Sequence, residues 1–209
     1  MQNLRGLYAI TPEISNTGLL LARTEEALKG GIAILQYRAK TLAPALRQQQ
    51  ALLLSSLCTD FNCALIINDD PCLAKEVGAQ GVHLGQADNQ PTLARELLGS
   101  EAIIGITCHN SLDLAEKARD AGANYLAFGA FYPSTSKPLA KPAPLSILSQ
   151  AKENFDLPIV AIGGITPLNG EKLLLAGADM LAVIDSLFTS DDIQAQCHQF
   201  QALFLKQKP

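Results

Sequence analysis

The stretch "AGANYLA" (Ala121–Ala127) combines a glycine of the kind that ends a helix, a short turn, and the first residues of an apolar strand. Close variants recur as "GGIAI" (Gly30–Ile34), "GAQGVHL" (Gly78–Leu84) and "AGADMLAV" (Ala176–Val183). Repetition of a helix–turn–strand junction predicts a chain in which helices and strands alternate.

The strand candidates are short apolar or β-branched runs, and the chain has eight of them. They are "GLYAIT" (Gly6–Thr11), "AILQYRAK" (Ala33–Lys40), "ALIIND" (Ala64–Asp69), "GVHLG" (Gly81–Gly85), "AIIGIT" (Ala102–Thr107), "YLAFGAF" (Tyr125–Phe131), "PIVAIGGI" (Pro158–Ile165) and "MLAVID" (Met180–Asp185). The runs do not alternate between apolar and polar residues, which indicates a parallel sheet with both faces covered. Segments with helical spacing separate them, for example Ser111–Ala123.

Eight strand–helix units in 209 residues leave about 26 residues for each unit, which suits a closed barrel. No low-complexity linker or change of composition divides the chain. We therefore predict an α/β fold with one catalytic domain, a (βα)8 TIM barrel spanning residues 1–209.

Composition excludes several classes of partner. The formal net charge is −4 and the basic residues are scattered, which argues against nucleic acid or an anionic membrane. No apolar run approaches the roughly 18 residues of a membrane span, and no signal peptide precedes the first strand, so a cytoplasmic protein is expected. The five cysteines form no C-x-x-C pair and are expected to be small buried residues. Barrels often form dimers, so a homodimer is considered, although the sequence indicates no interface.

In a parallel barrel the active site lies at the carboxyl ends of the strands. We call these strand ends, together with the loops that follow them, the rim. Polar residues and glycines concentrate there: Gln36, Arg38, Lys40, Asn68, Asp69, Asp70, Gln86, Asp88, Thr107, His109, Ser134, Thr135, Ser136, Lys137, Gly163, Gly164, Asp185 and Ser186.

Asp69 and Asp88 follow neighbouring strands. Two carboxylates that converge among oxygen-rich neighbours suit Mg²⁺, which takes few protein ligands beside water and substrate phosphate. The alternatives are a helix N-cap for Asp69 or Asp70 and a turn residue for Asp88. Asp70 stands directly before Pro71 at a helix start and has the features of the cap.

Cations complement these acids. Arg38 and Lys40 alternate with apolar neighbours, so they are expected to share one face of the second strand and to neutralise a diphosphate. The alternative is a salt bridge to the nearby aspartates. The loop "FYPSTSKP" (Phe131–Pro138) is either an anion cradle around Lys137 or a solvated turn, and "AIGGI" (Ala161–Ile165) is either a phosphate site or a tight turn.

Two histidines lie near this edge. His83, inside an apolar strand, is expected to be a hydrogen-bonded residue of the barrel, whereas His109 is either a loop residue or a substrate contact. The chain has no Ser/His/Asp signature, no lysine embedded in a strand, and no G-x-G-x-x-G after the first strand. Hydride transfer and covalent aldol chemistry are therefore disfavoured.

Six motifs in order carry a specific resemblance. They are "QYRAK" (Gln36–Lys40), "INDD" (Ile67–Asp70), "GVHLGQAD" (Gly81–Asp88), "GITCH" (Gly105–His109), "FGAFYPSTSK" (Phe128–Lys137) and "AIGGI". Together they resemble the motifs of the thiamine phosphate synthase family, over the second to the eighth strand. The resemblance implies transfer of a hydroxymethylpyrimidine group from its diphosphate to the ring nitrogen of a thiazole phosphate, with release of diphosphate in a Mg²⁺-dependent step.

The resemblance also implies roles for individual residues. The pyrimidine diphosphate would contact Gln36, Tyr37, Arg38, Ala39, Lys40 and Asn68, and Mg²⁺ would bind Asp69 and Asp88. Thr107, which replaces a serine usual in the family, and the loop residues Ser134, Thr135, Ser136 and Lys137 would also contact substrate. Gly164, Ile184 and Asp185 would hold the thiazole phosphate. Arg38, Lys40 and Lys137 would activate the leaving group.

Asp185 departs from the family pattern, which has an Ile-Ser pair where this chain has Ile184 and Asp185. A carboxylate beside a phosphate is repulsive unless only its backbone N–H faces the ligand or a cation screens it. Two other functions are therefore kept as alternatives. One is a thiazole tautomerase-like paralogue that would use His109, and the other is a non-catalytic protein that binds thiamine phosphate or thiazole phosphate.

Overall fold

The computed structural model describes residues 4–86, 91–134 and 142–206. Eight parallel strands form a closed barrel in chain order, with β1 paired to β8. The strands are β1 (Gly6–Ile10), β2 (Ile34–Tyr37), β3 (Ala64–Asn68), β4 (Gly81–Leu84), β5 (Ile103–His109), β6 (Tyr125–Gly129), β7 (Ile159–Ile162) and β8 (Met180–Val183). The predicted TIM barrel is confirmed.

Helices follow the strands on the outside of the barrel. They are α1 (Thr17–Lys29), α2 (Pro44–Asp60), α3 (Pro71–Glu76), α4 (Pro91–Leu98), α5 (Leu112–Asp120), α6 (Ser146–Asn154), α7 (Gly170–Leu175), α8 (Asp185–Phe188) and α9 (Ile193–Leu205). Within the described ranges, none of them has the length and apolar character that crossing a membrane requires.

Successive strand residues face opposite sides of the sheet, and this divides the buried residues into two cores. The outer core packs strand residues such as Leu7 and Leu35 against helix residues such as Leu54 and Phe200. The inner core fills the barrel and includes two tyrosines among aliphatic residues, Tyr8 and Tyr125. The barrel interior therefore contains polar hydroxyl groups that need partners.

Four of the five cysteines are buried, as expected, and Cys72 is exposed. All five thiols are free. Burial raises the pKa of Cys108 and of Cys197 to about 12, so both stay protonated at neutral pH.

The recurring junction seen in the sequence has a physical role at the amino-terminal end of the barrel. Gln80 precedes β4, and its Oε1 accepts a hydrogen bond of 2.7 Å from the N–H of Leu65. Asn124, before β6, and Asp179, before β8, accept in the same way from Ile104 and Ile159, at 2.8 Å each. A polar residue before β4, β6 and β8 thus satisfies a backbone donor of the preceding strand.

Candidate active site

The carboxyl end of β2 differs from the prediction in one respect. The strand ends at Tyr37, so Arg38 and Lys40 lie beyond it and do not share a strand face. Instead, the N–H of Arg38 donates to Thr11 Oγ1 at 3.0 Å and the N–H of Lys40 donates to Glu13 Oε2 at 2.6 Å. These bonds lead the chain out of the β2 pairing and fix the loop against the end of β1.

Glu13 is the anchor of that loop. It also accepts from the N–H of Thr41 at 3.0 Å and from the Thr41 hydroxyl. The pKa of the Glu13 carboxyl is lowered, mainly by the Thr41 hydroxyl and then by the backbone donors. The sequence patterns above do not single out Thr11 or Glu13, although their place at the end of the first predicted strand and just beyond it is a signal that would find them.

Tyr37 and Ala39 present little to the rim. The Tyr37 hydroxyl donates to Gln50 Oε1 of α2 at 2.8 Å, and burial raises its pKa to about 12. Both residues belong to the outer core. Only their backbone is left for the substrate contacts that the resemblance implies.

Lys40, Asn68 and Asp69 form what we call the Asp69 cluster. The Asp69 Oδ2 atom lies 2.8 Å from Lys40 Nζ and accepts a hydrogen bond of 2.6 Å from Asn68 Nδ2. Asp69 has a left-handed backbone, with φ of 63°, and its N–H donates to the carbonyl oxygen of His83 at 2.8 Å. A carboxylate, an amide and a cation are therefore brought together at the ends of β2 and β3, and the salt bridge considered from the sequence is present.

Asp70 has a different role from its neighbour. Its Oδ1 accepts from the N–H of Leu73 at 2.9 Å, which caps α3, and its Oδ2 accepts from Arg47 at 2.9 Å. The predicted N-cap is confirmed.

A continuous chain of hydrogen bonds, which we call the interior chain, crosses the barrel below the rim. Gln36 Nε2 lies 2.7 Å from the Tyr8 hydroxyl, which lies 2.7 Å from the Tyr125 hydroxyl. That hydroxyl is 2.9 Å from His83 Nδ1, and His83 Nε2 is 2.9 Å from Thr107 Oγ1. The prediction that His83 is a hydrogen-bonded barrel residue is confirmed. The hydrogen bonds of Tyr8 and Tyr125 were not predicted, because a tyrosine inside an apolar strand is expected to be an ordinary core residue.

The end of β5 is irregular. Its pairing with β6 shifts register between Thr107 and His109, and His109, the last strand residue, is exposed with φ of 52°. Gln86 Nε2 donates to the carbonyl oxygen of Thr107, which ties the loop after β4 to this strand.

The loops after β6 and β7 pack closely on each other. Gly163 and Gly164 have φ of 108° and 59°, and a Cβ on Gly164 would lie 2.3 Å from the Pro133 carbonyl oxygen. Asn169 holds this turn, because its Nδ2 donates to the Gly164 carbonyl at 3.0 Å and its Oδ1 accepts from Thr166 N–H at 2.8 Å. Only glycine fits at this bend.

The structure describes some of the remaining predicted site residues and not others. Ser134 is half-buried at the edge of the described chain, and α8 begins at Asp185, directly after the half-buried Ile184. Asp88, Thr135, Ser136 and Lys137 lie outside the described residues. Within the described residues there is no group of three or more His, Cys, Asp or Glu side chains that could hold a metal, so the Asp69–Asp88 pair stays a prediction.

Comparisons with known proteins agree with this geometry. The chain is 53% identical over 199 residues to a thiamine-phosphate synthase of Saccharophagus degradans, covering 93% of this chain and 92% of that protein. It is 48% identical over 204 residues to one of Thioalkalivibrio sulfidiphilus, covering 97% of both. The solved thiamine phosphate pyrophosphorylase of Pyrococcus furiosus superposes with a TM-score of 0.86 at 29% identity, covering 98% of this chain and 97% of that one. Since the thiamine monophosphate synthase family model matches residues 7–187, the chain belongs to the thiamine monophosphate synthase family.

Proposed function

We propose that this protein joins a hydroxymethylpyrimidine diphosphate to a thiazole phosphate, forming thiamine phosphate and diphosphate. The observation that carries the proposal is the Asp69 cluster, which places a carboxylate, an amide and a cation at one point of the rim, in a chain of this family. The comparisons give no support to a thiazole tautomerase or to a non-catalytic binding protein.

The reaction depends more on stabilising the negative charge of the leaving diphosphate than on a nucleophilic side chain. The bond between the pyrimidine methylene carbon and the diphosphate oxygen breaks, the diphosphate leaves with the electron pair, and the thiazole nitrogen forms the new carbon–nitrogen bond. Arg38 and Lys40 are proposed to stabilise the negative charge on the leaving oxygen, together with Lys137. Glu13 supports this by fixing the backbone of the loop that carries Arg38 and Lys40.

Mg²⁺ is the proposed cofactor, and Asp69 and Asp88 would hold it. The Asp69 carboxylate fits Mg²⁺, because this metal prefers oxygen ligands. Its Oδ2 atom already attracts one cation, Lys40, and accepts a hydrogen bond from Asn68. When bound, Mg²⁺ supplies further positive charge to the diphosphate. Lys40, which pairs with Asp69, would then turn to the substrate.

The other substrate contacts follow the resemblance. Gln36 and Thr107, at the two ends of the interior chain, are proposed to face the pyrimidine, and Gly164, Ile184 and Asp185 the thiazole phosphate. At Asp185 we propose a contact through the backbone N–H, because α8 begins there and helix starts present N–H groups. A cytoplasmic location, a homodimer and a single domain over residues 1–209 stay predictions.

The decisive experiment is an assay of thiamine phosphate formation from the two purified substrates, with and without Mg²⁺. Asp69→Asn should lower turnover by about a hundredfold or more, since weaker binding of Mg²⁺ would remove positive charge from the leaving diphosphate, and such charge is worth several kcal/mol. Asp70→Asn is the matched control. The Asp70 carboxylate has a structural role as the N-cap of α3, and asparagine is also a good N-cap.

Two results would contradict the proposal. One is wild-type turnover in Asp69→Asn in the presence of Mg²⁺. The other is the absence of diphosphate release by the wild-type protein when both substrates and Mg²⁺ are present.

A further inference from the structure

We propose that Asn169 is a positioning residue for the thiazole phosphate. It holds the peptide between Gly164 and Ile165 in a single orientation, so that N–H groups and not a carbonyl face the phosphate, and Tyr132 holds Asn169 in place. The inference rests on the proposed function, in which Gly164 contacts this phosphate, and Asn169 has no role in the chemistry derived above.

The Asn169 side chain bonds to the turn before it and not to the helix after it. Asn169 directly precedes α7, where an asparagine side chain usually accepts a hydrogen bond from an N–H of the first helical turn. It makes no such bond. Instead, Nδ2 lies 3.0 Å from the Gly164 carbonyl oxygen and Oδ1 lies 2.8 Å from the Thr166 nitrogen. The side chain therefore serves the turn that follows β7.

The two backbone partners determine how the Asn169 amide is oriented. A backbone carbonyl oxygen only accepts a hydrogen bond, and a backbone N–H only donates one. The amide nitrogen must therefore face Gly164 and the amide oxygen must face Thr166. An amide rotated by half a turn would satisfy neither bond.

The peptide that Asn169 holds is one that rotates easily. Gly163 and Gly164 have φ of 108° and 59°, and glycine adopts other backbone angles at little cost. In a trans peptide the Gly164 carbonyl and the Ile165 N–H point in opposite directions. Rotation of the peptide plane would exchange the N–H for a carbonyl on the side of the ligand. The bond from Asn169 to the carbonyl oxygen opposes that rotation.

The N–H groups of this turn are available to an anion. Within the described ranges, neither Gly164 nor Ile165 donates its N–H to a protein acceptor. Ile165 is 2% exposed, and buried backbone N–H groups rarely lack a partner. A phosphate would supply the acceptor, and the loops after the seventh and eighth strands are where TIM barrels frequently bind one.

Asn169 is itself held from two sides. The Tyr132 hydroxyl donates to the Asn169 carbonyl oxygen at 3.2 Å, and the Tyr132 N–H donates to the Gly163 carbonyl oxygen at 3.0 Å. On the other side, Gly170 packs so closely on β8 that a Cβ there would lie 2.9 Å from Leu181 Cδ1. The loop after β6 and the start of α7 thus fix the residue that fixes the turn.

The test compares the KM for thiazole phosphate with the KM for the pyrimidine diphosphate in wild type and in Asn169→Ser. Serine is a good N-cap, but its single hydroxyl cannot replace both bonds of the amide. The KM for thiazole phosphate should rise by about tenfold, because the phosphate loses donors of fixed direction. The KM for the pyrimidine diphosphate and kcat should change by less than about twofold.

Tyr132→Phe tests the same link by a smaller change. It removes the hydroxyl bond to Asn169 and should raise the KM for thiazole phosphate by about threefold. Asn154→Ser is the matched control, because Asn154 Nδ2 also donates to a backbone carbonyl, that of Gln150 in α6 at 2.7 Å. It should leave both KM values unchanged.

Two kinetic results would overturn the inference. One is an unchanged KM for thiazole phosphate in Asn169→Ser. The other is an equal rise of both KM values, which a merely structural role would produce by loosening the rim as a whole. If Asn169→Ser does not fold, Tyr132→Phe decides by the same two criteria.

Nitrogen-15 NMR of the backbone amides gives a readout that needs no catalysis. Adding thiazole phosphate should shift the wild-type Gly164 and Ile165 signals, and Asn169→Ser should need about tenfold more ligand for the same shift. Wild-type signals that do not move would overturn the inference. If no thiamine phosphate forms while these signals respond as expected in both proteins, the inference stands and the proposed function fails.

Discussion

Two aspartate–lysine pairs, one at each end of the barrel, have nearly the same local geometry. Asp179 lies 2.9 Å from Lys152 at the amino-terminal end, and Asp69 lies 2.8 Å from Lys40 at the rim. Their side chains are also similarly exposed, at 25% and 50% for the first pair and 24% and 52% for the second. Distance and exposure alone therefore do not distinguish a structural pair from one that is proposed to act on the substrate.

Their other partners do separate them. Asp179 accepts from the backbone N–H of Ile159 and its own carbonyl oxygen accepts from Gly6 N–H at 3.1 Å, so it joins β7, β8 and β1. Asp69 accepts from another side chain, Asn68, and has a left-handed backbone. Side chains that accept hydrogen bonds from backbone N–H groups stabilise the sheet. Polar side chains that bond to one another beside a left-handed residue are the arrangement that we propose serves a ligand at Asp69.

The largest expected effect is the difference in kcat/KM between the variant that lacks Lys40 and the variant that lacks Lys152. Lys40→Met should lower kcat/KM by about a hundredfold, because a cation that is proposed to stabilise the leaving group is lost, with little change in melting temperature. Lys152→Met should keep the kcat/KM of wild type and lose at most about 1 kcal/mol of stability, since the pair is half exposed. Steady-state kinetics and thermal melting of both variants measure kcat/KM and stability. Equal kcat/KM values in the two variants would contradict the proposed difference between the two pairs.

Arg95 gives the next largest effect, on stability alone. From α4 it donates to the carbonyl oxygens of Ser100 at 3.0 Å and Gly122 at 3.1 Å, and to Asn124 Oδ1 at 2.7 Å. Arg95→Ala removes these hydrogen bonds, while Asn124 Oδ1 keeps the bond from the Ile104 N–H, and should lower the free energy of unfolding by about 1–3 kcal/mol. Chemical denaturation measures the loss.

The control for Arg95 is activity at a temperature where the variant is fully folded. There kcat/KM should equal that of the wild type, because Arg95 lies at the end of the barrel opposite the rim. A lowered kcat/KM in folded protein would show that the two ends are not independent.

The same comparison explains what the sequence could reveal. All eight strands were predictable because each is a short, mostly apolar run, and a repeated junction precedes four of them; in the structure they pair in chain order around the barrel. The positions of three polar residues were also predictable. Asp69 follows an apolar strand, Asp70 stands before the proline that begins a helix, and His83 lies inside an apolar strand. These are local patterns, and local patterns are what a single sequence records.

What could not be predicted depends on contacts between distant residues. Tyr8 and Tyr125 are 117 positions apart in the chain and meet only when the barrel closes. Glu13 reaches Lys40 and Thr41 across two strand ends, and this contact ends β2 before Arg38. No spacing in the sequence indicates either pairing, because each arises from closure of the sheet.

The smallest expected effect concerns Glu13, whose carboxylate holds the rim loop through backbone donors in the way that Asp179 holds the sheet. Its pKa is lower in the folded protein than in the unfolded chain, so its stabilisation is present above the unfolded pKa, about 4.3, and is lost as pH falls through the folded pKa. The stability difference between wild type and Glu13→Gln should therefore be constant from neutral pH to about pH 5 and shrink below pH 4.3. Urea denaturation across this range measures it, and a difference that grows on acidification would show that Glu13 is not held as a carboxylate.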